Sequence, residues 1–223
     1  MIKNILTVGD SFTYGDELKS QYNAWPYRLA DIAKADVINL GKSGSGNKSM
    51  IRNVIQHVAN NTPVTVEPVD LVIIGWTSPG RMEFSDAAGT YDIWPGYSGM
   101  MFKTQPWRLD LLEHINQYHN PEYIYQQYLQ DIILTQSFLK QQGIKYLMMN
   151  TVSNEYYHYT YYGGMTPLAN LIDDQHYLGW PTEGMAEWTD GCKKGPKGHF
   201  LEDGHQKVAT KLYEHIRHLG WIS

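Results

Sequence analysis

The sequence predicts a three-layer α/β/α fold around a parallel sheet, with aromatic-rich loops inserted after the strands. Three observations predict it. Strand and helix signals alternate through the first half. Short runs such as Leu71-Val72-Ile73-Ile74 are apolar without polar alternation, as in strands covered on both faces. The stretches after these runs are dense in glycine and polar residues, and in open parallel sheets ligands sit outside the carboxyl ends of the strands.

The elements follow in order. Ile5-Leu6-Thr7-Val8 reads as a first buried strand, and Pro26 to Lys34 as a helix with Leu29, Ile32 and Ala33 at helical spacing. Val37 to Leu40 is a second strand, ended by Gly41. Asn47 to Val58 is a helix with Ile51, Val54, Ile55 and Val58 on one face. Asp70 to Trp76 is the third strand. Pro79 to Asn120 breaks the rhythm with glycines, prolines and aromatics, and a short helix is expected around Trp107 to Tyr118. Pro121 opens a helix that runs to Gln142 and stops at Gly143. Lys145 to Thr151 is a fourth strand, Ser153 to Lys197 is expected to be irregular, and Asp203 to His218 forms the last helix. No repeat or linker divides the chain, so one domain over residues 1–223 is expected, with insertions at about 79–120 and 153–197.

Composition narrows the function. The 223 residues are 42% hydrophobic and 18% charged, enough for a core. A net charge of −5 argues against a nucleic-acid partner, which selects a basic face. A single cysteine, Cys192, excludes an intramolecular disulfide framework and a multi-cysteine zinc site, and the histidines show no paired ligand spacing. No apolar stretch is long enough to span a membrane and no secretory signal precedes the first strand; a cytoplasmic or viral-particle location is expected. There are 17 Tyr and 7 Trp against 5 Phe. Rings with an apolar body and a polar tip suit contact with polar ligands, although loop packing leaves the same composition.

Four clusters carry candidate chemistry: Gly9-Asp10-Ser11 after the first strand, Asn39-Leu40-Gly41-Lys42-Ser43-Gly44 after the second, Gly75-Trp76-Thr77-Ser78 after the third, and His199 to His205 before the last helix. A serine at a strand end, amides in glycine turns and a late histidine are the parts of acyl transfer. A serine there also serves as an ordinary cap, and Gly44 as an ordinary turn residue.

These blocks resemble the SGNH, or GDSL-type, serine hydrolase superfamily. Gly9-Asp10-Ser11 matches its first block, Asn39 to Gly44 its second, and His199-Phe200-Leu201-Glu202-Asp203-Gly204-His205 its fourth; Trp25-Pro26 also looks like many members. The resemblance implies a flavodoxin-like topology with Ser11 as nucleophile, His199 as base, and an oxyanion hole from the Ser11 and Gly44 amides. The third block departs from Gly-x-Asn-Asp, because Thr77 stands at the asparagine position, so Thr77 or Asn47 is expected to supply the third donor. The acid three residues before His199 is replaced by Pro196, leaving Asp190 as the nearest upstream aspartate. In a rival register His205 is the base and Glu202 its orienter. Arg81, Trp94 and Asp10 are expected at the substrate, with Asp10 alternatively a hydrogen-bond partner for its own loop. The implied function is a cofactor-independent esterase for small acyl or glycan esters, such as O-acetyl groups on carbohydrate. The alternative is a non-catalytic or weakly catalytic carbohydrate-binding or structural module, for example in a viral particle, that retains the hydrolase fold.

Overall fold

A computed structural model describes residues 2–60, 68–87, 89–93 and 120–222, with positions 110, 111, 113, 114, 117 and 118. The strands are β1 (Asn4–Val8), β2 (Asp36–Asn39), β3 (Leu71–Trp76), β4 (Met82–Asp86), β5 (Gly89–Ile93), β6 (Lys145–Asn150) and β7 (Tyr177–Leu178). The helices are α1 (Ser11–Tyr14), α2 (Trp25–Ala33), α3 (Asn47–Asn60), α4 (Pro121–Gln141), α5 (Glu155–Ala169), α6 (Met185–Trp188) and α7 (Glu202–His218). The central sheet runs β2-β1-β3-β6-β7 with every pairing parallel. This is the predicted three-layer α/β/α, flavodoxin-like arrangement.

The period-two geometry of the strands divides the core between the two faces of the sheet. Leu6, Val8, Val72, Ile74, Tyr146 and Met148 join Met50 and Val54 of α3 and Leu129 and Ile132 of α4. Ile5, Leu71, Ile73, Leu147 and Met149 join Trp25 and Leu29 of α2 and Val208, Leu212 and Ile216 of α7. Every residue of β3 is buried, which explains why its run shows no polar alternation. Truncating a fully buried leucine such as Leu29 or Leu212 to alanine is expected to cost ~2–5 kcal/mol.

Two stretches differ from the sequence expectation. Residues 155–169 form a helix, although the run of tyrosines followed by Gly163-Gly164 and Pro167 shows no 3.6-residue period. Its Tyr157 and Tyr161 pack on the α4 side of the core, so tertiary packing overrides weak local propensity. Within 79–120, β4 and β5 pair as an antiparallel hairpin in register from Met82↔Ile93 to Asp86↔Gly89. Arg52 of α3 holds it with a bidentate pair to Glu83, 2.5 and 2.6 Å. Most of the helix expected around 107–118 lies outside the described residues, as does Trp94.

Candidate active site

β1, β2, β3 and β6 all end at one edge of the sheet, and the site is built there. After Val8 the chain turns through Gly9 into α1. Asp10 is the N-cap: its Oδ1 accepts from Phe12 N at 3.1 Å. Capping therefore falls to Asp10, and Ser11 occupies the first helical position at 5% exposure. Among the described residues nothing hydrogen-bonds the Ser11 hydroxyl, and neither the Ser11 nor the Gly44 backbone N–H has an intramolecular acceptor. Gly44 has φ 77°, a left-handed turn that favours glycine. Asn39 ties the end of β2 to α1: its side-chain amide donates to Thr13 O at 3.0 Å and its Oδ1 accepts from Gly41 N at 2.9 Å.

Asp10 is fully buried. Its Oδ2 accepts from Thr77 Oγ1 at 2.8 Å and Thr151 Oγ1 at 2.9 Å, with Arg81 Nη1 at 3.5 Å. These contacts bind the ends of β1, β3 and β6 together. Asp10 thus acts on its own loop and its neighbours, and the expectation of substrate contact is corrected: burial leaves it no open face. Arg81 also donates to Ser45 O at 3.2 Å, bracing the Gly44 turn.

The residues expected to complete an oxyanion hole are both engaged. Thr77 gives its one hydroxyl proton to Asp10. Asn47 accepts from Thr77 N at 3.0 Å and donates to Thr77 O and Ser78 O at 3.2 and 3.4 Å. Both brace the strand end through these bonds. A cavity of 240 Å³ opens beside them, lined by residues including Asn47, Arg81, Phe84, Ile124 and Tyr128. A second, of 560 Å³, lies at the β7 edge against Asp173, Trp180 and His215, and Ser11, Gly44 and His199 are not among the lining residues of either cavity.

The two late histidines have different surroundings. The His199 ring lies 4.9 Å from the ring of Phe12, the residue after Ser11. Its loop is closed by Gly195 N to His199 O at 2.8 Å and Leu201 N to Lys193 O at 2.8 Å. His205 is 1% exposed, and its Nδ1 accepts from Trp25 N at 3.1 Å. Burial, then the positive charge of Arg28 and of His199, pushes its pKa down to about 3. An interior imidazole that accepts at Nδ1 and stays neutral is a structural link between α7 and α2. Glu202, its expected orienter in the rival register, is not its partner.

Nor does Asp190 reach His199. Its Oδ1 accepts from Gly191 N at 3.0 Å, because the 193–200 segment folds back on itself instead of spacing an acid from a base. The carboxylate at His199 belongs to Glu17, a residue outside every motif. Glu17 Oε2 lies 2.8 Å from His199 Nδ1 and accepts from His199 N at 3.1 Å, while Oε1 accepts from Lys197 N at 2.8 Å. Partial burial opposes ionisation of Glu17, but the donors from Lys197 and His199 outweigh it and its pKa is lowered. The contact spans 182 residues of sequence, and no local signal announces it. Among the described residues no group of three or more His, Cys, Asp or Glu gathers as a metal site, and no helix is long and apolar enough to cross a membrane.

Residues 13–223 match the family described as "Family of unknown function (DUF6071)". The chain belongs to that family. No curated protein matches it. Its fold is that of the SGNH/GDSL hydrolases and esterases. A G-D-S-L family protein from Desulfitobacterium hafniense DCB-2 superposes with a TM-score of 0.54 at 12% identity, over 96% of this chain and 99% of that one. The esterase EstA from a Pseudoalteromonas species, solved with monoethylphosphonate, gives 0.56 at 12% identity over 97% and 98%. A carbohydrate esterase family 2 enzyme with a carbohydrate-binding domain, from Corynascus thermopiles (Myceliophthora fergusii), gives 0.56 at 16% identity over 98% and 67%.

Proposed function

We propose that this DUF6071 protein is a serine esterase that hydrolyses small acyl esters through an acyl-enzyme on Ser11. One observation carries the reading: an unengaged Ser11 hydroxyl follows the β1 end, and the ring of the adjacent Phe12 packs on His199, whose Nδ1 is held by a carboxylate. That bond leaves Nε2 as the basic nitrogen. In the proposed reaction Nε2 takes the Ser11 proton as Oγ attacks the ester carbonyl. The Ser11 and Gly44 amides stabilise the oxyanion, the protonated imidazole delivers its proton to the leaving alcohol, and water, activated by the same nitrogen, releases the acid.

An O-acetylated carbohydrate is the specific substrate proposed. Its support is the carbohydrate-esterase neighbour in fold and the exposed Tyr156 and Tyr159 on α5, which starts beyond the carboxyl end of β6. The second reading, a weakly catalytic or binding module, is favoured by the engagement of Thr77 and Asn47, which leaves two main-chain donors in view. Loss of one oxyanion donor typically costs ~10²–10³-fold in rate.

Hydrolysis of p-nitrophenyl acetate by wild type and Ser11→Ala tests the proposal. The esterase reading expects Ser11→Ala to abolish turnover above background. Equal rates would remove that activity from Ser11.

A further inference from the structure

We infer that Glu17 is the positioning carboxylate of this site, holding His199 in the Nδ1–H tautomer while latching the loop that carries it to the segment that carries Ser11. The catalytic consequence rests on the esterase reading; the positioning itself does not.

The geometry is specific. One carboxylate accepts three donors from a single loop: Lys197 N and His199 N fix the loop's backbone, and His199 Nδ1 fixes the ring. An ionised carboxylate only accepts, so the nitrogen facing it carries the proton and Nε2 is left with its lone pair. Glu17 adopts φ 67°, a conformation unfavourable for a side-chain-bearing residue and retained where surrounding contacts enforce it. Gly195 completes the fit: a Cβ there would come within 2.6 Å of Glu17 Cδ and Oε1.

Other nearby carboxylates are engaged elsewhere. Asp190 accepts from Gly191 N, Asp203 from Lys193 N and Gly204 N, and Asp16 from Ser43 Oγ. The position three residues before His199 is Pro196, which has no acceptor side chain. The acid has thus moved from the base's own loop to the segment just beyond the nucleophile's turn. Glu17 lies six residues after Ser11 in the sequence, so the bond that orients the imidazole also ties its loop to the segment that carries Ser11. A loop latch alone would need the two backbone contacts; the ring contact gives the carboxylate its second role.

The test is nitrogen-15 NMR of the histidine rings in full-length wild type and Glu17→Gln, with His199→Gln used to assign the signals, alongside the rate of Ser11 labelling by a fluorophosphonate. The side-chain oxygen of the Glu17→Gln variant can still accept from the loop, so the loop is retained while the charge is removed. In wild type the neutral His199 is expected as the Nδ1–H tautomer. The variant should label Ser11 at least tenfold more slowly, with Glu17→Asp between the two. A wild-type Nε2–H tautomer overturns the inference, and that reading stands even if the variant does not fold. Where wild-type Ser11 labels, an unchanged labelling rate in a folded Glu17→Gln protein also overturns it. If wild-type Ser11 resists labelling while His199 shows the expected tautomer, the esterase reading fails and the positioning role of Glu17 holds.

Discussion

Thr77 Oγ1 donates to Asp10 Oδ2 at 2.8 Å, directing its only proton into the protein interior. The same carboxylate oxygen receives Thr151, so the hydroxyl belongs to a buried knot joining three strand ends. Thr77→Val is therefore expected to lower stability by about 1–3 kcal/mol, the cost of an unmade buried hydrogen bond, and to change ester hydrolysis by less than threefold once folded. Urea denaturation and p-nitrophenyl acetate turnover read the two quantities. A hundredfold loss of turnover with unchanged stability would make Thr77 the third oxyanion donor after all.

His205 gives a pH prediction. Its folded pKa of about 3 lies below the ordinary 6.5, so between these values the unfolded chain binds the extra proton. Its contribution to stability is complete above pH 6.5 and is lost as pH falls toward 3. Over the full window this amounts to a few kcal/mol, at ~1.4 kcal/mol for each pH unit of separation. His205→Gln offers an oxygen to Trp25 N and cannot titrate. Urea denaturation at pH 7 and pH 5 should show a smaller drop for the variant than for wild type; equal drops would contradict the assignment.

Asp92 links the β4–β5 hairpin to the Gly44 turn. Its Oδ1 accepts from Gly46 N at 2.9 Å, two residues beyond Gly44. Burial raises its pKa in spite of that bond and nearby Lys42. Asp92→Ala frees the Gly46 amide and is expected to slow fluorophosphonate labelling of Ser11 about tenfold, with Tm lowered by only a few degrees. Unchanged labelling would show that the turn holds its shape without the hairpin.

Gly195→Ala probes the latch from the opposite side. The added methyl would meet the Glu17 carboxylate at 2.6 Å, a separation that forces the carboxylate away from Lys197 N and His199. The variant is expected to reproduce the labelling defect of Glu17→Gln, and the two together should be no worse than either alone. Additive losses would place them in separate roles.

Much of the frame is legible in the chain because its physics is local. The unbroken run Leu71 to Ile74 announces a strand covered on both faces, Pro121 and Gly143 bracket α4, and Gly44 marks a turn with positive φ. The two histidines are harder to tell apart. His199 and His205 lie in one motif, and their roles separate only through burial, with His205 beneath Trp25 and His199 against Phe12. Glu17 could not be read in advance, since its partner is 182 residues away and its own neighbours form no pattern. Helix α5 was hidden for another reason: its tyrosines pack against α4 and the sheet without the spacing that an amphipathic helix displays.

The most direct test of the central claim is mass spectrometry of the tryptic peptide Asn4–Lys19 after treatment with a fluorophosphonate. Activation of Ser11 as a nucleophile predicts one phosphonyl group on it in wild type, none in Ser11→Ala, and labelling slowed at least a hundredfold in His199→Ala. Absence of label on wild-type Ser11, under conditions that modify a known serine esterase in the same tube, would contradict it.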